Sequence, residues 1–158
     1  MTPQATQPDP EHFPSYRPPS RRQTPRFATA LHKKAAASAF RDGADLYDEI
    51  RPSYPAFISR LAPGKVAVDI GAGTGKLTLN LPHNLVFAFD PSPDMTRVLR
   101  THGIKCWQGA AEALPLPNSS IDAAFCAQAW HWLDIQAACK ELDRVLRPGG
   151  SVVLVWNT

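Results

Sequence analysis

Five short runs of apolar and β-branched residues punctuate the second two thirds of the chain, at residues 66–70, 85–89, 104–108, 121–126 and 151–156. Runs of this length, bounded by Gly, Pro and Asp, read as strands. Between them the apolar positions change to helical spacing. Residues 92–101 follow Ser92, a good N-cap, with Asp94 in the first turn where the helix dipole favours an anion, and end before Gly103. Residues 134–146 place Ile135, Ala138, Leu142, Val145 and Leu146 on one buried face, and Pro148-Gly149-Gly150 turns the chain into the last strand. A helix is also predicted over 76–81. Two more precede the first strand: residues 35–51, with Phe40, Ala44 and Tyr47 sharing a face and Pro52 as the stop, and a short one over 54–61 closed by Pro63-Gly64. A long loop punctuated by proline occupies 110–120. Strands alternating with helices over this length predict an α/β fold, a doubly wound and mostly parallel sheet.

Composition alters that picture at one end only. Of 16 prolines in 158 residues, seven fall in the first 25, a stretch without apolar periodicity. Such a segment cannot bury enough surface to offset the entropy of ordering it, so residues 1–34 are read as a disordered Pro/Arg-rich tail and 35–158 as the domain. The tail holds Arg17, Arg21, Arg22, Arg26, Lys33 and Lys34 against Asp9 and Glu11, or +4, which leaves −1 for the rest of a chain of net charge +3. Basic tails are mostly solvated, which argues against a nucleic-acid role. No apolar run approaches the ~18 residues of a membrane span. Cys106, Cys126 and Cys139 are odd in number and lack C-x-x-C spacing, so reduced thiols, a cytoplasmic location and no metal site are expected.

The chemistry sits where the first strand runs into Asp69-Ile-Gly71-Ala-Gly73-Thr-Gly75. Glycines let a backbone turn tightly and approach a ligand that a Cβ would block. Asp90 closes the second strand 21 residues after Asp69, placed to accept both hydroxyls of a ribose. A dinucleotide pattern starting at Gly71 requires glycine at Lys76, and a P-loop requires glycine at Ile70 and Ser or Thr at Leu77; both readings fail. The unit is therefore a nucleoside-binding βαβ of another kind.

Together with four further blocks, the glycine motif resembles the class I S-adenosylmethionine-dependent methyltransferases of the type 11 group. These blocks are Asp45-Leu-Tyr-Asp-Glu-Ile-Arg-Pro-Ser-Tyr-Pro55, Phe89-Asp-Pro-Ser-Pro-Asp-Met95, Gly109-Ala-Ala-Glu-Ala-Leu-Pro115 and Arg144-Val-Leu-Arg-Pro-Gly-Gly150. The first is also similar, more loosely, to trans-aconitate methyltransferase-like proteins. The resemblance spans 35–158 and implies S-adenosylmethionine as cofactor and methyl transfer to a small-molecule acceptor, leaving open whether O, N, C or S is methylated.

By the same resemblance, Asp69 and the backbone of Gly71, Ala72, Gly73, Thr74 and Gly75 would hold the methionyl end, whose carboxylate suits turn amides and a helix N-terminus. Asp90 would take the ribose diol, with Pro91 and Met95 flanking the adenine. Where the family often has Asp, this chain has Ala110; the backbone of Ala111 and the side chain of Glu112 are the substitutes. Gln128 would sit near the reacting sulfonium, and Trp130, His131 and Trp132 would line the acceptor pocket, His131 as candidate base. Tyr47 and Arg51 would reach the cofactor carboxylate or an acidic acceptor. Structural alternatives stand beside these roles: Asp69 as an acid tying the turn, Met95 as core, His131 as a local hydrogen-bonding group, Tyr47 and Arg51 as helix packing and surface. The family's sheet has seven strands, so strands 6 and 7 are expected to be absent, leaving 151–156 as an apolar edge open to self-association. The alternative reading is a truncated, non-catalytic remnant that binds the cofactor poorly.

Overall fold

The computed structural model describes Ala44 and residues 53–156. The tail, most of the helix expected over 35–51, and Tyr47 and Arg51 lie outside the described residues. Ala44 is helical and buried, packed with Met95 and Val98.

Five parallel strands form one sheet: β1 Val66–Ile70, β2 Leu85–Asp90, β3 Cys106–Gln108, β4 Ile121–Ala127 and β5 Leu146–Val155, in the order β3-β2-β1-β4-β5. Helix α1 spans Pro93–Thr101 and α2 spans Ile135–Val145. Both start as their sequences predict. The Ser92 side chain accepts from Met95 N–H, and that of Asp134 from Ala137 N–H. Register pairs Val68 with Phe87 and Ala124, and Ile70 with Phe89, so alternate residues point to alternate faces. One face, Val68, Ile70, Phe89, Ala124 and Cys126, is covered by Ala138, Leu142 and Val145 of α2 and by Leu114 and Leu116. The other, Ala67, Ala123, Phe125 and Val153, is covered by Ile58, Ala62, Leu77 and Leu81. Leu99 of α1 packs with Ala88 and Cys106.

Two predicted helices shrink. Residues 54–61 make only a 3-10 turn at Ile58–Arg60, bracketed by Pro55 and Pro63, and residues 76–81 only a 3-10 turn at Thr78–Asn80. Pro82 explains the second case: it pushes Leu81 into extended geometry (φ −78°, ψ 123°) before an α-helix can close. Ile135, expected in the core, is the first residue of α2 and is 51% exposed. Leu146 belongs to β5 rather than to the helix.

Two charged side chains tie loops to the frame. Asp122 of β4 accepts from the N–H groups of Lys65 and Val66 and pairs with Arg147, so it fixes the entry to β1 and the irregular start of β5. There Ile121 pairs with Leu146 and Ala123 with Ser151, which leaves residues 147–150 bulged opposite Asp122. Arg144 of α2 donates to Leu116 O (2.7 Å), Asn118 Oδ1 (2.8 Å) and Leu114 O (2.9 Å) and pairs with Glu141. Glu141 in turn accepts from Leu114 N–H. The proline loop is thus held to α2 by the Arg144 guanidinium, by the Glu141 carboxylate and by the Ser119 and Ser120 N–H groups, which donate to Arg144 O and Val145 O. Cys106 and Cys126 are buried, Cys139 is exposed, and all three are free.

Candidate functional site

In an open α/β sheet, ligands sit beyond the carboxyl ends of the strands where strand order reverses, here between β1 and β4. The loops leaving those two strands touch: Gly71 has φ +63°, and a Cβ placed on it would collide with the Cβ of Ala129. Gly73 has φ +56°, but a Cβ there would meet no heavy atom of the described residues within 4 Å. Gly71 is therefore required for packing and chain direction, whereas Gly73 lies against open space.

Three amides of this turn have acceptors within the fold. Ala72 N–H donates to Phe89 O (3.0 Å), Gly75 N–H to Ala72 O (2.9 Å) and Gly73 N–H to Asp90 Oδ2 (2.9 Å). Asp90 Oδ1 accepts from Ser92 N–H (2.8 Å), so each of its oxygens holds one donor and keeps capacity for another. Burial raises its pKa above the usual carboxylate range, against the lowering effect of those two N–H donors.

Asp69, 1% exposed, accepts from the Thr78 hydroxyl at Oδ2 (2.6 Å); its buried Oδ1 has no hydrogen-bond partner among the described residues. Burial lifts this carboxyl to about 7, with the Thr78 hydrogen bond opposing and the Asp90 charge adding to the rise. Thr74 Oγ1 is likewise buried and unpartnered among the described residues. Asp69, Gly71, Ala72, Gly73 and Thr74 line one cleft together with Tyr54, Lys76, Leu77 and Ala127.

Other predicted site residues are placed differently. Gly75 is buried beside Leu99. Pro91 is exposed, its carbonyl accepting from Gln108 Nε2 (3.1 Å). Met95 is core with Val98 and Ala44, and Ala111 is core beneath α2. Glu112 Oε1 accepts from Asp134 N–H (2.9 Å) and thereby braces the start of α2. Gln128, directly after β4, is held in the left-handed region (φ +58°) by its N–H donating to Val155 O (2.8 Å), and its Nε2 is buried without a partner among the described residues. A non-glycine residue kept in that conformation beside a crevice marks stored strain of the kind found at functional sites. Trp130–Trp132 form a half-buried 3-10 turn in which the rings of His131 and Trp132 touch, centroids 5.1 Å apart.

Sequence reasoning missed Tyr54, Leu77 and Ala127 as cleft walls and Thr78 as the partner of Asp69. Only Thr78, a polar residue inside an apolar run, carried a signal. Among the described residues no group of three His, Cys, Asp or Glu is placed to hold a metal ion, and no helix is long and apolar enough to cross a membrane.

A family profile described as a methyltransferase domain matches residues 68–154. An uncharacterized methyltransferase of Mycobacterium tuberculosis is 46% identical over 127 residues, which are 76% of this chain and 52% of that protein. A malonyl-[acyl-carrier protein] O-methyltransferase of Methylococcus capsulatus is 38% identical over 127 residues, 73% of this chain and 46% of that protein. Among solved structures, a provisionally named type II methyltransferase from Anaeromyxobacter dehalogenans superimposes with a TM-score of 0.62 at 34% identity, covering 69% of this chain and 50% of that one. The chain spans about half the length of the curated relatives it matches.

Proposed function

The chain belongs to the methyltransferase domain family, and from that membership we propose that it binds S-adenosylmethionine and directs its methyl group to a small-molecule acceptor. One observation carries the reading: two buried oxygens, Asp69 Oδ1 and Thr74 Oγ1, lack hydrogen-bond partners among the described residues and belong to residues lining the cleft over Gly73. Buried polar groups are ordinarily paired, so a cleft that holds two unpaired ones fits a polar ligand. The acceptors present suit the cofactor's parts. Asp90, with one acceptor site free on each oxygen, would take the ribose hydroxyls. Asp69 would accept from the α-ammonium. Gly73 would let the ligand approach the backbone, and Pro91 would stay at the adenine side.

When bound, S-adenosylmethionine supplies a methyl carbon made electrophilic by its sulfonium. The work left to the protein is to hold the acceptor at near-attack distance, about 3–3.5 Å, and to exclude water. Gln128 and the Trp130–Trp132 turn follow β4 and would form the acceptor side. His131 would serve as base for a hydroxyl or amine acceptor, whereas a carboxylate needs none. The buried and free cysteines support a cytoplasmic setting.

Calorimetric titration of the 158-residue chain with S-adenosylmethionine tests the reading. Micromolar binding is expected for the wild type, with loss of binding in Asp90→Ala and in the milder Asp90→Asn, each first checked for folding by circular dichroism. A folded wild type that does not bind the cofactor overturns the reading in favour of a non-catalytic remnant; unchanged affinity in a folded Asp90 variant overturns the site.

A further inference from the structure

The Trp130–Trp132 turn is tied down at both ends. Before it, Gln128 N–H donates to Val155 O (2.8 Å), which fixes the exit from β4 to the end of β5. After it, Asp134 N–H donates to Glu112 Oε1 (2.9 Å). The first tie joins backbone to backbone, whereas the second is a carboxylate reaching across from the loop after β3. Asp134 is also the N-cap of α2, its side chain accepting from Ala137 N–H (3.2 Å). The Glu112 carboxylate therefore sits at the helix end whose dipole favours an anion. Within the turn, Trp132 N–H donates to Ala129 O (2.9 Å) and Leu133 N–H to Trp130 O (3.2 Å).

Glu112 is fixed on its own side as well. Gly109 N–H donates to Asp90 O (3.1 Å), Ala113 N–H donates to Ala110 O (3.2 Å), and Ala111 between them is buried in the core beneath α2. The short segment from Gly109 to Glu112 thus joins the backbone of Asp90 to the N–H of Asp134. Resting on the function proposed above, we propose that Glu112 is a positioning residue. It holds the acceptor-side turn in register with the nucleoside side of the site, so that filling the nucleoside side orders the turn. In this role the carboxylate does not touch the cofactor; it acts through Asp134 N–H. Without it, the far end of the turn is left to the packing of Trp130 and Leu133 against the core.

Amide hydrogen exchange, read residue by residue by NMR on the full chain with and without S-adenosylhomocysteine, tests this. Glu112→Ala should speed exchange at Trp132, Leu133 and Asp134 about tenfold or more, the scale of losing a hydrogen bond to a charged group, and leave the amides of β1 and β4 unchanged. Glu112→Gln keeps an oxygen for Asp134 N–H and should restore most of the protection. S-adenosylhomocysteine should slow exchange at Gly73 and at the three turn amides in the wild type, but at Gly73 alone in Glu112→Ala. If Glu112→Ala does not fold, Glu112→Asp, one methylene too short to reach Asp134, takes its place with the same expectations. The proposal is overturned if the variant exchanges like the wild type at the three amides, or if exchange rises uniformly along the chain. It is also overturned if the bound ligand leaves the wild-type turn unprotected, or protects it equally in the variant. A wild type that does not bind S-adenosylhomocysteine refutes the proposed function itself, whereas exchange in the ligand-free chain still decides whether Glu112 holds the turn.

Discussion

Asp69→Asn separates what the buried carboxyl does for the fold from what it does for the ligand. The carboxyl is almost wholly buried with one hydrogen bond from Thr78, and burial raises its pKa from 3.8 to about 7. The folded protein thus keeps a proton that the unfolded chain releases between these values. Below about 4 both states are protonated and the group has no effect; as pH rises towards 7 the unfolded state is favoured, and above 7 the effect is constant. At about 1.4 kcal/mol for each pH unit between the two values, ionised Asp69 costs about 4 kcal/mol, a large part of the ~5–15 kcal/mol stability of an ordinary domain. Asparagine keeps the shape and an oxygen for the Thr78 hydroxyl but does not titrate. Its amide nitrogen, if placed where Oδ1 lies, adds a cost that is the same at every pH, so the slope is the test. Urea denaturation followed by circular dichroism should show the stability of the variant relative to wild type rising by about 3 kcal/mol between about pH 5 and pH 8. A difference independent of pH would refute the reasoning: Asp69 would then titrate as an ordinary carboxyl, and the cleft would not hold a desolvated acceptor for an ammonium. The ligand half has the opposite sign. An ammonium partner favours the anion, so cofactor affinity should rise with pH up to about 7 and then level off, and the Asn variant should lose both the affinity and its pH dependence.

The two glycines facing the cleft should respond differently to the same change. Gly71→Ala forces a Cβ into Ala129 and should cost about 2–3 kcal/mol in urea denaturation, while Gly73→Ala, with open space around it, should cost only about 1 kcal/mol for its positive φ yet weaken cofactor binding more than its stability loss accounts for. Arg144→Met should lower the melting temperature and expose the 110–120 loop to limited proteolysis, because one guanidinium holds three acceptors of that loop; an unchanged cleavage rate would show that the buried leucines, Glu141 and the Ser119 and Ser120 N–H groups hold the loop without it.

The sheet was legible because its signal is dense. β1 matches the predicted run residue for residue, and β2 and β4 each extend one residue further, since runs of Val, Ile, Ala and Phe bounded by Gly and Pro admit few other readings. The caps of α1 and α2 were legible for the same local reason. What misled was periodicity without length. Residues 54–61 and 76–81 carry helix-compatible patterns, yet prolines at 55, 63 and 82 leave room for a single tight turn each. The motif let the neighbourhood of the candidate cleft be read: Asp69, Gly71 and Gly73 line it, and Gly73 N–H donates to Asp90. Residues recruited from outside it were not, because only folding brings Tyr54 and Ala127 to the same cleft wall. Met95 and Glu112, also close in sequence to the motif, pack in the core and brace the start of α2, roles their spacing did not reveal.

The glycine motif shows why such a site is only half written in its signature. Read as a string, it offers a row of amides to a ligand; folded, three of those amides hold the turn to β2, to Asp90 and to itself. The division follows from geometry. A turn tight enough to bring β1's end beside Ala129 and under open space must close its own hydrogen bonds, since buried N–H groups left unpaired would cost more than the turn gains. The cleft is then lined by side chains whose positions the turn sets, Asp69 before it and Thr74 within it. Their spacing follows from the glycines, but their chemistry does not. A relative with the same glycines and an apolar residue at the position of Asp69 would keep the turn but leave the cleft without its acid, so the glycine pattern identifies the scaffold and the side chains around it set the chemistry of the cleft.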